Sequence, residues 1–117
     1  MMGRSGGSSP FLDAALSDTA VLVKTGKVGL ASFDVYNPSN AVAFVRFYDA
    51  AAASDVTIGT TVPVYVVGAK TVEFASGRFT RPIQFTKGMV IGGVTTFADS
   101  SHTAPSSALN VCLGLST

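Results

Sequence analysis

The sequence predicts an all-β fold: a single β-sandwich, jelly-roll-like, preceded by a flexible N-terminal arm. Three observations predict it. Apolar and β-branched residues recur in short runs with period-two alternation. Gly, Pro, Asn and Asp punctuate those runs at short, regular spacing. No segment carries helical periodicity long enough to sustain a helix in water, and strands that follow one another without intervening helices cannot be βαβ units. At 117 residues the chain is one domain. The arm is expected over residues 1–18 and the sandwich over 19–117.

The elements follow in order. Met1 to Pro10 is rich in Gly and Ser and reads as a flexible arm. No apolar run follows Arg4, so it does not read as a secretory signal. The Gly run lacks the Gly-Lys-Ser/Thr ending of a phosphate loop, and Gly3 is poorly placed for myristoylation. Phe11, Leu12, Ala15 and Leu16 then form an apolar cluster at helix-like spacing. Such a cluster has surface to bury, so Phe11, Leu12 and Leu16 are candidates for docking on a neighbouring subunit. The alternative is a disordered leader.

Ala20–Lys24 reads as a strand and Thr25-Gly26-Lys27 as a hairpin-like turn. Val28–Tyr36 alternates, with Ala31, Phe33 and Val35 on one side. Asn37-Pro38-Ser39-Asn40 is a turn signal. Ala41–Asp49 is the clearest strand: Val42, Phe44, Arg46 and Tyr48 share one face, and Ala43, Val45 and Phe47 the other. Both faces are largely apolar, so the strand is expected to be covered on both sides. The alanines at 50–53 suggest one helical turn, with Asp49 as its cap. Val56–Ile58 and Thr60–Val67 continue as strand, with Pro63 demoting the first half to an edge or bulge. After a turn at Gly68-Ala69, Lys70–Ala75 is a strand, residues 77–80 a loop, and Pro82–Thr86 a short strand. Met89–Ala98 is a strand in which Gly92-Gly93 suggests a bulge. Asp99–Ser107 is a polar loop, and Ala108–Leu115 closes the chain. The absence of Trp weakens an immunoglobulin-like reading, and a jelly roll fits at least as well.

Composition narrows the function classes. Hydrophobic residues make up 47% and charged residues only 13%, against roughly 25% in an average soluble domain. Eight Lys+Arg against seven Asp+Glu leave a formal charge of +1. That balance argues against a nucleic-acid binder, which neutralises many phosphates. The single Cys excludes an internal disulfide framework and a cysteine zinc site. Few charges on a small domain leave apolar surface, and near-zero net charge favours association. Assembly with other copies or partners is therefore expected; the alternative is a monomer coated with Ser, Thr and Gly. No apolar run is long enough to span a membrane as a helix.

Residues able to carry chemistry are few. His102 is the only histidine, and a triad would draw on Ser100, Ser101 or Ser106 with Asp99. All lie in one polar loop without a nucleophile elbow, so a solvated histidine is expected. Asp99 and His102 alone are too few for a metal. Cys112, between Val111 and Leu113, reads as a buried small hydrophobe. Asp34, Asp49, Asp55 and Glu73 show no glycosidase-like pairing, and Asp49 and Asp55 lack the ligand repeat of a calcium loop. Arg78, Arg81 and Lys87 surround Phe79 and Phe85. Of the readings for that cluster, a protein interface built on Arg78, Phe79 and Arg81 is favoured over single-strand binding. Arg46, inside an apolar strand, needs a partner, for which Asp34 or Tyr36 qualify if the two strands form a hairpin.

The stretches Val35-Tyr36-Asn37-Pro38, Phe44-Val45-Arg46-Phe47-Tyr48-Asp49, Ile58-Gly59-Thr60-Thr61-Val62-Pro63, Ile83-Gln84-Phe85-Thr86-Lys87-Gly88-Met89 and Val94-Thr95-Thr96 together resemble small β-sandwich virion proteins of tailed phages. These are capsid cement (decoration) proteins and head appendages, and the resemblance runs from about Ala20 to Leu115. It implies a non-enzymatic bacteriophage structural protein without a cofactor, often a homotrimer, whose partners are the major capsid protein and itself. It implies neither nucleic acid nor membrane as partner. Its place would be the capsid surface of the virion, assembled in the host cytoplasm. The alternative is a receptor- or glycan-binding module of a fibre or head appendage, with Tyr36, Tyr48 or Tyr65 as stacking platforms. An enzyme is a distant third.

Overall fold

The computed structural model describes residues 9–97 and 102–116. Eight strands account for the fold: β1 (Ser9–Leu16), β2 (Val21–Thr25), β3 (Val28–Asn37), β4 (Ala43–Asp49), β5 (Tyr65–Ala69), β6 (Glu73–Phe85), β7 (Gly88–Val94) and β8 (Leu109–Ser116). They form two four-stranded antiparallel sheets, ordered β1-β8-β3-β6 and β2-β7-β4-β5.

The pairing follows one rule. The first strand pairs with the eighth, the second with the seventh, the third with the sixth and the fourth with the fifth. The chain is thus one long antiparallel hairpin, folded over so that β8 also meets β3 and β7 also meets β4. A hairpin of strand pairs rolled in this way is a jelly roll. The fold class expected from the sequence is the one observed.

The two sheets close on a core that includes Leu16, Leu30, Phe33, Val35, Val45, Phe47, Phe85, Ile91, Leu109 and Leu113. Burial of each such side chain stabilises the fold by roughly 1.5–3 kcal/mol, which is why alternation survives in nearly every strand.

Several elements differ from the sequence expectation. Residues 9–16, assigned to the flexible arm, form β1 and are paired to β8 from Ser9↔Leu115 to Leu16↔Leu109. Leu16 is fully buried, so its burial ties this strand to the sandwich. Residues 1–8 lie outside the described residues. Residues 77–80, read as a loop, lie inside the 13-residue β6. Their glycine and polar side chains mimic a turn, but the backbone stays extended beside β3. Gly92 and Gly93 make no bulge against β4, since Arg46↔Gly92 and Val45↔Gly93 continue the register. A Cβ at Gly92 would stand 2.6 Å from Ile58 Cδ1, and one at Gly93 3.2 Å from Leu109 Cδ1. These glycines serve close packing rather than backbone kinking.

The segment expected as strand between 56 and 64 is loop, and the alanine run before it produces the short 3-10 turn Ala53–Asp55. Gly68 and Ala69 remain in β5, and the chain turns at 70–72 instead. Val72 there has φ +53°, a left-handed conformation that is strained for a β-branched residue.

Candidate functional site

The two sheets treat their outer faces differently. On the second sheet, Phe44, Arg46 and Tyr48 of β4 point away from the main core. Tyr48 joins Ala50, Val56 and Val90 in a second buried cluster, with Ala20 and Ile58 packed against it. The loop between β4 and β5 therefore folds back over its own sheet. Arg46 is fully buried on the same face, where its Nη2 donates to the carbonyls of Thr96 (3.4 Å) and Phe97 (3.3 Å). Phe97 meets Phe44 edge-on at 5.9 Å. The expected partners Asp34 and Tyr36 cannot serve Arg46, because β3 and β4 belong to opposite sheets. The expectation that β4 is covered on both sides is met.

The outer face of the first sheet is bare among the described residues. Register places its outward side chains in rows that cross the strands. One row runs Leu12, Cys112, Asp34, Ser76, and the next runs Asn110, Tyr36, Phe74. Leu12 is 74% exposed and Phe74 72%. Between them lies a shallow, almost wholly apolar groove of about 250 Å³, lined chiefly by Leu12, Ala14, Tyr36, Phe74 and Cys112. Tyr36 and Phe74 pack across the strands with ring centroids 4.8 Å apart. Asp34 supplies the polar edge, accepting from Ser76 Oγ at 2.5 Å.

The β5–β6 turn, which leads into Phe74, is held by a network of hydrogen bonds. Asn37 Nδ2 donates to the carbonyls of Ala41 (2.8 Å) and Ala69 (3.0 Å), and Ser39 Oγ donates to Asn37 Oδ1 at 2.5 Å. The Thr71 hydroxyl donates to the Ser39 carbonyl, and the Val72 N–H donates to the Asn37 carbonyl at 2.7 Å. These bonds hold Val72 in its strained conformation with its side chain 61% exposed, next to Phe74.

The six interface candidates fall into two groups. Leu12, Arg78 and Arg81 are exposed. Leu16 is core, and Phe11 and Phe79 are half-buried against it, Phe79 packing on Phe33 (5.9 Å) and Tyr65 (5.4 Å). Phe79 therefore does not join Arg78 and Arg81 in a surface cluster; strand alternation sends it inward. Phe74 and Val72, exposed on this side of the molecule, were not singled out from the sequence, and Tyr36 was considered only as a stacking platform or a partner for Arg46. The signal was present in the alternation of Val72 and Phe74 with Thr71 and Glu73, which marks a strand but does not say which face is inward.

Of the other groups considered, His102 and Ser106 are exposed, and Ser106 Oγ donates to Asn40 Oδ1 at 2.9 Å. Asp99, Ser100 and Ser101 lie outside the described residues. Cys112 is only half-buried and faces the groove, where a fully buried position was expected. Asp49 caps no helix. Its carboxylate accepts from Thr86 N, Thr86 Oγ1, Lys87 N and Gly88 N, fastening the β6–β7 turn to the end of β4. Burial would raise its pKa, but the donors from Lys87, Thr86 and Gly88 outweigh burial and hold the carboxyl below the ordinary aspartate range. Among the described residues no group of three or more His, Cys, Asp or Glu is placed to hold a metal ion.

No family model and no curated protein sequence matches the chain. Solved structures similar to it include the coat protein of Tobacco streak virus, at 10% identity and TM-score 0.44, covering 100% of this chain and 91% of that one. A Bacillus endospore appendage protein, from disulfide-linked pili, matches at 12% identity and TM-score 0.40 over 100% and 96% of the two chains. PirA matches at 8% identity and TM-score 0.34 over 97% and 95%. At these identities and TM-scores the similarities carry no argument about what the chain does.

Proposed function

We propose that this chain is a non-enzymatic virion structural protein that docks on a phage capsid shell as a cement protein. The observation that carries the proposal is the uncovered outer face of the first sheet. The jelly roll holds Leu12, Tyr36 and Phe74 together around an apolar groove, and the exposed Val72 lies two residues before Phe74. Contiguous exposed apolar surface on a charge-poor domain marks an interaction site, and buried aromatics make effective anchors in such sites. The sequence resemblance supplies the partner, the major capsid protein, and a trimeric state. Many copies of a modest interface strengthen a shell because each bridge is intramolecular once its neighbour is bound.

The test is cosedimentation of the purified chain with undecorated shells of the phage that encodes it. Saturation at a fixed number of copies per shell is expected. Failure to bind shells, together with saturable binding of the isolated chain to a glycan array, would replace this reading with the receptor-binding one. Of the tyrosines that reading would use as stacking platforms, Tyr36 is the one at the surface beside a second exposed ring, Phe74, because Tyr48 is fully buried and Tyr65 packs against Phe47 and Phe79.

A further inference from the structure

The four sheet edges are unequally protected. An edge strand presents unpaired N–H and C=O groups, and soluble proteins blunt such edges with shortness, charge, proline or bulges. Strand β1 carries Pro10 and a register shift between Asp13 and Leu16. Strand β2 has five residues, Lys24 and a register shift between Leu22 and Lys24. Strand β5 also has only five residues.

Strand β6 is different. It has 13 residues, against about five or six for an ordinary strand. Its irregularity and Pro82 fall in its second half, opposite the shift between Leu30 and Ser32. From Glu73 to Arg78 it pairs with Asn37 to Ser32 residue by residue. Every second residue of that stretch turns its backbone groups away from β3. No backbone bond from residues 74–85 to any described residue outside the β3 ladder is present. Half a strand of regular edge is thus open among the described residues.

Charge says what fits it. The stretch is acidic at its start, at Glu73, and basic beyond its middle, at Arg78 and Arg81. A second copy of β6 running antiparallel sets the acidic end of each strand beside the basic end of the other, whereas a parallel copy sets like against like. Side chains that face each other across an antiparallel ladder must lie on the same face, so the register moves in steps that keep Phe74, Ser76 and Arg78 outward. Centring the pair on Ser76 keeps it within the regular stretch and puts each exposed Phe74 opposite the other copy's Arg78, a cation–π contact.

We propose that the open first half of β6 is a two-fold self-association edge, through which two copies pair antiparallel about Ser76 and join their first sheets into one eight-stranded sheet. The inference does not rest on capsid binding. The assembly then holds two copies, or six where the three-fold contact implied by the resemblance also operates.

The experiment is light scattering coupled to size exclusion on the full chain, without capsids, for the wild type and two sets of variants. Ser76→Lys places two ammonium groups face to face at the axis while leaving each copy a favourable neighbour in its own Asp34. The expected result is two or six copies for the wild type and a halved mass for S76K, with an unchanged far-UV circular-dichroism spectrum showing that each copy stays folded. In a Cys112→Ser background, Ser76→Cys is expected to cross-link to a covalent dimer on mild oxidation, and Gln84→Cys, at the far end of the same strand, is not. A wild-type mass of one or three copies, an S76K mass equal to the wild type, or equal cross-linking at positions 76 and 84 would each overturn the proposal. Should S76K fail to fold, the cysteine pair decides the question.

Discussion

The two outer faces of this sandwich are built from the same kinds of residue and meet opposite fates. On the second sheet, Tyr48 is fully buried because the chain spends residues 50–64 folding back over it. On the first sheet, Tyr36 and Phe74 receive no such cover from the described residues, and Phe74 remains 72% exposed. The connections explain the difference. The link from β4 to β5 joins strands of the same sheet and has length to spare, so it covers that sheet's outer face. Every other link crosses between the sheets and is short, except the one from β7 to β8, whose beginning packs on β4. Apolar side chains on an outer face therefore stabilise the monomer where a loop reaches them, and stay exposed where none does.

Substitutions on each face put that contrast to the test. The largest effect belongs to the covered face. Tyr48→Ala empties a fully buried site, and a loss of about 3–5 kcal/mol is expected in urea unfolding. A loss below about 1 kcal/mol would show that the loop does not form a true second core. Next is Gly92→Ala, whose Cβ would approach Ile58 Cδ1 to 2.6 Å. Overpacking costs about 1–3 kcal/mol, and the low end is expected because Ile58 can swing away. Amide exchange should speed up over residues 56–62 and stay unchanged in the first sheet.

Asp49→Asn is the third in size. It weakens the carboxylate that accepts from Thr86, Lys87 and Gly88, and about 1 kcal/mol is expected after allowance for its partial exposure to solvent. The folded-state pKa lies below the unfolded one, so this contribution is fully present above the ordinary aspartate range. It is lost as the pH falls through the folded value. The wild type and D49N should therefore differ at pH 7 and converge in acid, a pattern that melting curves from pH 7 to pH 2 would reveal. The smallest effect on stability belongs to the bare face: Leu12→Ser with Phe74→Ser should move unfolding by no more than about 0.5 kcal/mol each.

Much of the fold was legible in the residues. The alternation of β3 and β4, the turn at Asn37-Pro38 and the two-sided apolar character of β4 located those elements correctly. What escaped had physical reasons. Gly77 and Thr80 suggest a turn, but only tertiary pairing with β3 reveals that they continue a strand. Gly92-Gly93 look like a kink, and only the position of Ile58 shows that they make space. Phe11 and Leu16 read as an arm because a lone edge strand carries no local signal for a partner nearly a hundred residues away, at β8. The groove was hidden for a related reason. Leu12, Tyr36 and Phe74 sit on three different strands, and register alone brings them together.

On the proposed function, the uncovered face of the first sheet, and not the loop-covered face of the second, meets the capsid. Val62 offers a matched control, because it lies in the covering loop and is 71% exposed, close to Leu12 at 74% and Phe74 at 72%. Cosedimentation with undecorated shells should be lost in the Leu12→Ser, Phe74→Ser double variant and retained in Val62→Ser, with both proteins folded by circular dichroism. Retention in the double variant with loss in Val62→Ser would contradict the claim and move the docking surface to the opposite face of the sandwich.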